Sequence, residues 1–300
     1  MSSTADPTDP TDTAAPPTLA QLRAELDRID DAIHDLLMQR ARVVEQVGAH
    51  GAKGRVAIRP GREAQIIRRL LRRHQGALPR RLLPRLWREL FAATTSMQGS
   101  YVVTVCETGP GDAFVQAARE HFGALTPLRR HRTPAQAIGE VSSGAAIAAV
   151  LPMPDEEQAA SAAWWTALLH RDEPRIHVVA RLPFWAPRSE GAPQVHALVV
   201  AAVPPDASSA DPGSTDRSLI GLELSQEASR ARLSGALAAA GFDTGTIILR
   251  RDQGAAVAQA LVDVAGLVAD DDARLAALSD MLRPPVVLGA YAVPVDGDSA

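Results

Sequence analysis

The apolar residues between Leu19 and Val47 recur every three or four positions. This spacing is typical of a helix with one buried stripe, and it continues for about thirty residues before glycines at 48, 51 and 54 interrupt it. The stripe consists of Leu22, Leu26, Ile29, Ile33, Leu36, Leu37, Val43, Val44 and Val47. The pattern therefore predicts a first helix that is unusually long for a single domain.

Two shorter helices are predicted after the first one. The second follows Pro60, which is favourable at the first helical position, and runs to about Gln75. The third starts at Pro79 or Leu82 and runs to about Gln98. Because one long helix and two short ones cannot enclose a core, the exposed stripe of the first helix requires a partner subunit.

The pattern changes after Gly99 to short runs rich in valine and isoleucine. The runs are YVVTV, AAIAAVLP, RIHVVARLPF and VHALVVAAV, and helical segments at 112–122 and 134–142 lie between them. Alternating strands and helices predict an α/β architecture. A stretch rich in Pro, Ser and Asp at 204–216 then predicts a linker.

The last part of the chain predicts a small α+β domain in the order strand, helix, strand, strand, helix, strand. Its helices are expected at 226–240 and at about 270–282. The run at 255–266 fits either period, and we assign its second half to a strand because the order requires one.

These patterns predict a multi-domain protein. Its segments are a disordered tail at 1–17, an all-α three-helix domain at 18–100, an α/β domain at 101–205, a linker at 206–216 and an α+β domain at 217–296. The tail is assigned because it is made almost entirely of Pro, Thr, Asp, Ala and Ser and has little to bury.

Composition limits the cellular setting. The chain has 300 residues, a formal net charge of −4 and 46% hydrophobic residues. It has no apolar run of bilayer length and no basic, apolar leader, so we expect no membrane association and a cytoplasmic location. The single Cys106 cannot form an internal disulfide or a cysteine-based metal site, and we expect it in the core.

Cationic charge is concentrated at 59–74, where six of sixteen residues are arginine. Arg68, Arg69, Arg72 and Arg73 are spaced so that most of them lie on the solvent side of the second helix. We find no recognition motif and no interleaved aromatic residues, so nucleic-acid binding is not expected.

Arg40 interrupts the apolar stripe of the first helix. It occupies a position where the spacing from Leu37 to Val44 predicts a core residue. A guanidinium there must meet an internal glutamate, reach solvent along its stem, or bind a ligand anion. Arg23 lies seventeen positions earlier, about 100° away around the helix, so one ligand could touch both only if Arg23 came from a second copy.

Other polar candidates lie on the two shorter helices. Arg62 and Glu63 fall in the first turn of the second helix. Thr94 and Gln98 are four positions apart on the third helix and so share a face, either as a solvated helix end or as a pair of hydrogen-bonding groups.

The combination of these features resembles the all-helical, type II chorismate mutase domain over residues 19–98. The matching features are LR at Arg23, D..I..LL..R from Asp30 to Arg40, RE at Arg62 and Glu63, and the terminal Thr94 and Gln98. The resemblance implies an intertwined homodimer with three helices per chain.

The resemblance also implies an activity and its catalytic residues. Chorismate would be rearranged to prephenate within one molecule, with no cofactor, no metal and no covalent intermediate. Arg40 and the partner subunit's Arg23 would hold the two carboxylates of chorismate. Glu63 would hold the ring hydroxyl, and Gln98 would donate a hydrogen bond to the ether oxygen.

Three further residues are expected to contact the substrate. Arg62 would assist near the cavity mouth, and Thr94 would add a polar contact. The family usually has a lysine where this chain has Gly51, so Lys53 is expected to replace it through unwinding of the glycine-rich segment. The usual aspartate before the RE pair is Arg59 here, which removes a hydroxyl acceptor and adds a cation.

The remainder of the chain resembles other parts of the same enzyme family. Residues 101–205 are similar to the first lobe of prephenate dehydratase, but they are too short and lack its ENS and TRF patterns, so we expect no dehydratase activity. Residues 217–294 resemble a dehydratase-type ACT regulatory domain, with only a distant echo of its effector-binding motifs.

The competing hypothesis is a non-catalytic regulatory or small-anion-sensing protein built on the mutase and ACT-like scaffold. Gly51 and Arg59 favour this alternative. The features that favour the enzyme are the retained Arg23, Arg40, Glu63 and Gln98.

Overall fold

The computed structural model describes residues 16–50, 58–157, 159–188, 190–207, 216–278 and 281–297. The chain divides into two compact units, Met1–Lys53 and Gly54–Ala300. Most of the predicted tail, Lys53 with the glycines at 51 and 54, and most of the predicted linker lie outside the described residues. The predicted domain boundaries remain a prediction.

The first unit contains helix α1, Leu19–His50, with 32 residues. The predicted long helix is therefore confirmed. Thr18 begins it with a reciprocal cap: its hydroxyl accepts from the Gln21 amide at 3.3 Å, and the Gln21 side chain accepts from the Thr18 amide at 2.8 Å. The stripe is largely exposed, with Leu26 at 59%, Ile33 at 49% and Val47 at 64%.

The second unit begins with two helices and continues as a mixed α/β structure. Within the described residues its helices are α2 Pro60–Arg73, α3 Leu82–Ser96, α4 Ala113–Phe122, α5 Pro134–Ser142, α6 Arg230–Ala239 and α7 Ala273–Ala276. Two 3-10 segments lie at Ala160–Ala162 and Trp164–His170. The predicted second and third helices are thus confirmed within two residues at most ends.

The strands of this unit are β1 Val103–Cys106, β2 Leu128–His131, β3 Ala148–Pro152, β4 His177–Leu182, β5 Trp185–Ala186, β6 Ala197–Ala201, β7 Asp216–Leu224, β8 Thr244–Arg250, β9 Ala258–Ala265, β10 Val286–Ala292 and β11 Val295–Asp296. In the described part of the chain, nine of them form one sheet in the order β2-β1-β3-β6-β4-β10-β7-β9-β8. The pairs of β1 with β2 and β3, and of β4 with β10, are parallel, and the other neighbours are antiparallel. Strands β5 and β11 pair separately.

One sheet thus unites the two segments that the sequence separates into an α/β and an α+β domain. The two segments meet where β4 lies beside β10, with Val178 opposite Gly289. Gly289 has φ +135°, and a Cβ built on it would overlap the backbone of Val178. The join therefore depends on a residue without a side chain.

Both faces of the β1 end of the sheet are covered. Helix α5 contributes Ala137 and Val141 to one core cluster, together with Cys106 and the fully buried Trp165. Helix α4 contributes Phe122 to a second core cluster. This cluster contains the strand residues that alternate with those of the first cluster and therefore lie on the opposite face of the sheet. A sheet buried on both faces explains why β1 and β6 are buried at every position and β3 at all but its last, and the burial of Cys106 confirms it as a core residue.

Two details of the C-terminal region differ from the sequence prediction. The helix expected at about 270–282 is the single turn α7, which the Asp272 side chain caps by accepting from the Arg274 amide at 3.0 Å. Strand β9 spans Ala258–Ala265, whereas we expected a strand only in the second half of the run at 255–266. No helix within the described ranges is long and apolar enough to cross a membrane.

Candidate functional site

The start of α2 is fixed by a distant carboxylate. Pro60 is in the first turn as predicted, and Arg59 before it supplies no side-chain cap. Asp206 takes that role, because its carboxylate accepts from the Gly61 amide at 2.9 Å and from the Arg62 amide at 3.0 Å. Two otherwise unsatisfied helix N–H groups are thereby paired. The first turn that carries Arg62 and Glu63 is therefore held in place from residue 206.

Glu63 forms an ion pair with Arg88 of α3. The Arg88 side chain is 5% exposed and that of Glu63 is 17% exposed. Burial lowers the pKa of Arg88, whereas the Glu63 carboxylate acts in the opposite direction. Arg88 also lies over the ring of Phe184, 5.1 Å from its centroid. Because each charge neutralises the other in a largely buried setting, loss of either partner would remove the opposite charge from the group that remains.

Sequence reasoning missed Arg88. The signal was present, since Arg88 lies four positions after Pro84 and three before Phe91, and both of these are buried on α3. This is the same kind of interruption that identified Arg40 on the first helix. Its partner Glu63 is 25 positions away, however, and no local pattern indicates that pairing.

Thr94 and Gln98, the two polar residues predicted at the end of α3, differ in their exposure to solvent. Thr94 is 9% exposed, and its hydroxyl donates to the Leu90 carbonyl at 2.7 Å. The helix ends at Ser96, so Gln98 lies in the following turn, where it is exposed. Thr94 is therefore buried rather than part of a solvated helix end, and Gln98 lies just beyond the last residue of α3.

The arginine-rich face of α2 is mostly exposed, as predicted. Arg69, Arg72 and Arg73 are exposed. Arg68 is the exception, because its guanidinium donates to the Val293 carbonyl at 2.5 Å and lies 5.8 Å from the Phe184 ring centroid. That side chain holds α2 against the end of β10 rather than facing solvent.

The predicted residues of α1 lie in the first unit. Arg40 is half-buried, like Leu37, Ala41 and Val44, which share its face of the helix. Arg40 therefore shares the burial of its neighbours Leu37 and Val44 on that face. Arg23 is exposed.

His121 of α4 is a second buried titratable group close to Arg88. It is 7% exposed and packs edge-on against Phe122, with ring centroids 4.8 Å apart. Burial first, and then the positive charge of Arg88, lower the pKa of His121 well below its usual value of 6.5. The folded protein therefore holds this imidazole neutral at pH 7.

This pKa shift predicts an acid-sensitive fold. Below pH 6.5 the unfolded chain binds a proton at His121 that the folded chain does not bind, so stability is full above pH 6.5 and falls as the pH drops. Between pH 7.5 and 5.5 the wild type should lose roughly 1 kcal/mol more unfolding free energy than His121→Gln. Urea titrations followed by tryptophan fluorescence at both pH values test this, and an equal loss in both proteins would contradict the assignment.

Comparison with known proteins places the N-terminal part of the chain. Residues 22–99 match the family described as chorismate mutase type II. The bifunctional chorismate mutase/prephenate dehydratase of Aquifex aeolicus is 34% identical over 129 residues, which is 41% of this chain and 34% of the relative. A protein of the same description from Stutzerimonas stutzeri is 29% identical over 149 residues, covering 47% of this chain and 40% of the relative.

The chain thus spans only about a third to two-fifths of the length of these curated relatives. Among solved structures, the prephenate dehydratase of Streptococcus mutans is similar with a TM-score of 0.44 and 15% identity, over 65% of this chain and 98% of that one. The similarity to the type II chorismate mutase family thus covers residues 22–99, about a quarter of the chain.

Proposed function

We propose that the protein is a chorismate mutase, which rearranges chorismate to prephenate in aromatic amino-acid biosynthesis. The observation that carries the proposal is the family match over residues 22–99, within which Arg23, Arg40, Glu63 and Gln98 are all present. We place the activity in the cytoplasm, in a homodimer.

The rearrangement needs charge stabilisation and positioning rather than a nucleophile or a cofactor. The enzyme must fold a dicarboxylate into a reactive shape and stabilise negative charge on the breaking ether oxygen. Arginine suits both tasks, because its planar fork binds a carboxylate with two hydrogen bonds and keeps its charge in a dry cavity. Arg40 and the partner subunit's Arg23 take these roles, with Arg62 at the cavity mouth.

Glu63 accepts a hydrogen bond from the ring hydroxyl of chorismate in this proposal. Its ion pair with Arg88 supports the role, because it keeps the carboxylate charged and limits its rotamers. A carboxylate accepts several hydrogen bonds, so the pair with Arg88 is compatible with a hydroxyl donor. Asp206 adds a second constraint by fixing the turn from which Glu63 projects. Gln98 donates to the ether oxygen, Thr94 adds a polar contact, and Lys53 replaces the usual lysine.

The exposed stripe of α1 supports the dimer. Leu22, Ile29 and Val43 are each at least 40% exposed, although they follow the spacing of a buried face. An apolar helix face of this length is stabilised by a second apolar surface, and an antiparallel or crossed copy of the same helix presents one. A dimer would also bring Arg23 of one subunit to Arg40 of the other.

We propose no dehydratase activity for the second unit, because the segment after β3 has MPDEEQ where the dehydratase has its ENS pattern. The second candidate function is a non-catalytic regulatory or small-anion-sensing protein. The observation that favours it is Gly51 at the position of the family's lysine, together with Arg59 before the RE pair.

Product analysis tests this proposal. Purified full-length protein is incubated with chorismate, the loss of chorismate absorbance is followed, and prephenate and phenylpyruvate are measured in the product. We expect prephenate to accumulate in proportion to the chorismate consumed, without phenylpyruvate. A rate equal to the uncatalysed background would overturn the mutase and favour the non-catalytic candidate, whereas phenylpyruvate would contradict the missing dehydratase step.

A further inference from the structure

A large cleft in the second unit lies apart from the residues proposed for the mutase reaction. It has a volume of about 880 Å³ and is lined by the start of α3, by α4 and by residues in the ranges 182–188 and 190–193. This volume lies within the range of pockets that hold small organic ligands. None of the residues assigned to chorismate lines it.

The cleft contains two deeply buried polar side chains. Arg88 is 4% exposed and His121 is 7% exposed, and both line the cleft. Arg88 uses Nη1 for Glu63, which leaves further N–H donors on a guanidinium that carries five. His121 makes no hydrogen bond to any residue in the described ranges. Polar groups at such depth are stabilised when a ligand or water completes their hydrogen bonding.

The mouth of the cleft carries two more cations. Arg81 and Arg85 are four positions apart at the start of α3, and both are exposed. Among the described residues neither side chain forms an ion pair or hydrogen bond. Counted over the whole lining, the cleft has five arginines and three glutamates, so an excess of positive charge remains.

The other charged groups of the cleft are already paired. Arg188 holds the Glu120 carboxylate through two hydrogen bonds of 2.6 and 2.7 Å. Glu89 accepts from the Ala124 amide at 3.0 Å, and Arg119 donates to the Ala124 carbonyl. These pairs shape the walls, whereas Arg81 and Arg85 are available to an incoming anion.

One wall of the cleft is apolar. Leu182, Phe184 and Trp185 line it, and the Arg88 guanidinium stacks on Phe184. An aromatic or alicyclic ring fits such a wall, and a carboxylate fits the guanidinium groups beside it. An inorganic anion would leave the apolar wall without a partner.

We propose that this cleft binds a small carboxylate with a ring-sized apolar body, whose ring packs against Phe184 and Trp185 and whose carboxylate is held by the cleft arginines. Arg81 and Arg85 attract the anion and close over it, while Arg88 and His121 supply donors at the floor. The cleft is lined by none of the residues assigned to chorismate, so binding is testable in a protein with or without mutase activity.

Calorimetric titration of the full-length protein tests the proposal. The probes are phenylacetate, its neutral analogue phenylacetamide, and inorganic phosphate at matched ionic strength. We expect phenylacetate to bind at least tenfold more tightly than either of the other two. The double variant Arg81→Ala/Arg85→Ala should weaken phenylacetate binding about tenfold and leave phenylacetamide unchanged. Arg69→Ala, which removes an exposed arginine outside the cleft, is the matched control and should bind like the wild type.

A substitution at the buried floor of the cleft gives a second test. Arg88→Ala would remove the buried cation that pairs with Glu63 and is liable to unfold the protein, so His121→Phe is used instead, with near-ultraviolet circular dichroism to verify folding. We expect it to weaken phenylacetate at least threefold. Absence of phenylacetate binding, equal binding of the acid and the amide, or equal binding of phosphate would each overturn the proposal, as would an unchanged affinity in the double variant.

Discussion

Arg40→Ala is expected to lower kcat/KM for chorismate by about 10²- to 10³-fold, the usual effect of removing one preorganised donor to developing charge. Arg40 is half-buried on the face of α1 that also carries Leu37 and Val44. Alanine is a strong helix former, so the substitution should remove the cation without breaking the helix.

Arg42→Ala is the matched control for that result. Arg42 is exposed and lies about 200° around the helix from Arg40, so the variant loses the same charge on another face. Steady-state kinetics on both variants, with helix content checked by circular dichroism, give the comparison. Equal activity of Arg40→Ala and Arg42→Ala would show that Arg40 does not bind the substrate.

Gly289→Ala is expected to destabilise the second unit by about 3 kcal/mol or more. Its φ of +135° disfavours any side chain, and the added Cβ would overlap the Val178 backbone at the pairing of β4 with β10. Strain and overpacking each cost about 1–3 kcal/mol. Urea unfolding followed by tryptophan fluorescence measures the loss, because all four tryptophans lie in this unit.

Gly254→Ala separates the two causes. Gly254 also has a positive φ, +78°, but a Cβ there would meet no atom within 4 Å among the described residues. It should cost only about 1 kcal/mol, the penalty of the left-handed conformation alone. If Gly289→Ala were no more destabilising than Gly254→Ala, the close approach of β4 and β10 would be wrong.

The helices of the N-terminal region were predictable because their signals are local. The apolar spacing of α1 and Pro60 at the start of α2 specify those elements within a few residues. The position of Arg40 followed from the same periodicity. The carboxylate cap of α2 did not, since Asp206 is 145 positions from Gly61 and lies in a stretch whose composition indicates only a linker.

The single sheet was not predictable from local patterns. Each strand has a recognisable run, but the neighbour of each strand depends on contacts such as Val178 with Gly289, more than 100 positions apart. Contacts between distant residues also explain why α7 is shorter than predicted. Leu275 and Leu278 are buried, and the Leu282 amide donates to the Glu223 carbonyl of β7, so tertiary contacts replace the longer helix that propensity predicts.

Mixing two inactive variants tests the central claim most directly, namely a chorismate mutase site shared by two subunits. Arg23→Ala and Arg40→Ala are each expected to be nearly inactive as homodimers. After denaturation and refolding of an equimolar mixture, half of the dimers are hybrids, and each hybrid has one site with both arginines intact. We therefore predict recovery to about a quarter of the refolded wild-type rate of prephenate formation. An active wild type with no recovery in the mixture, or a wild type without chorismate turnover, would contradict the account.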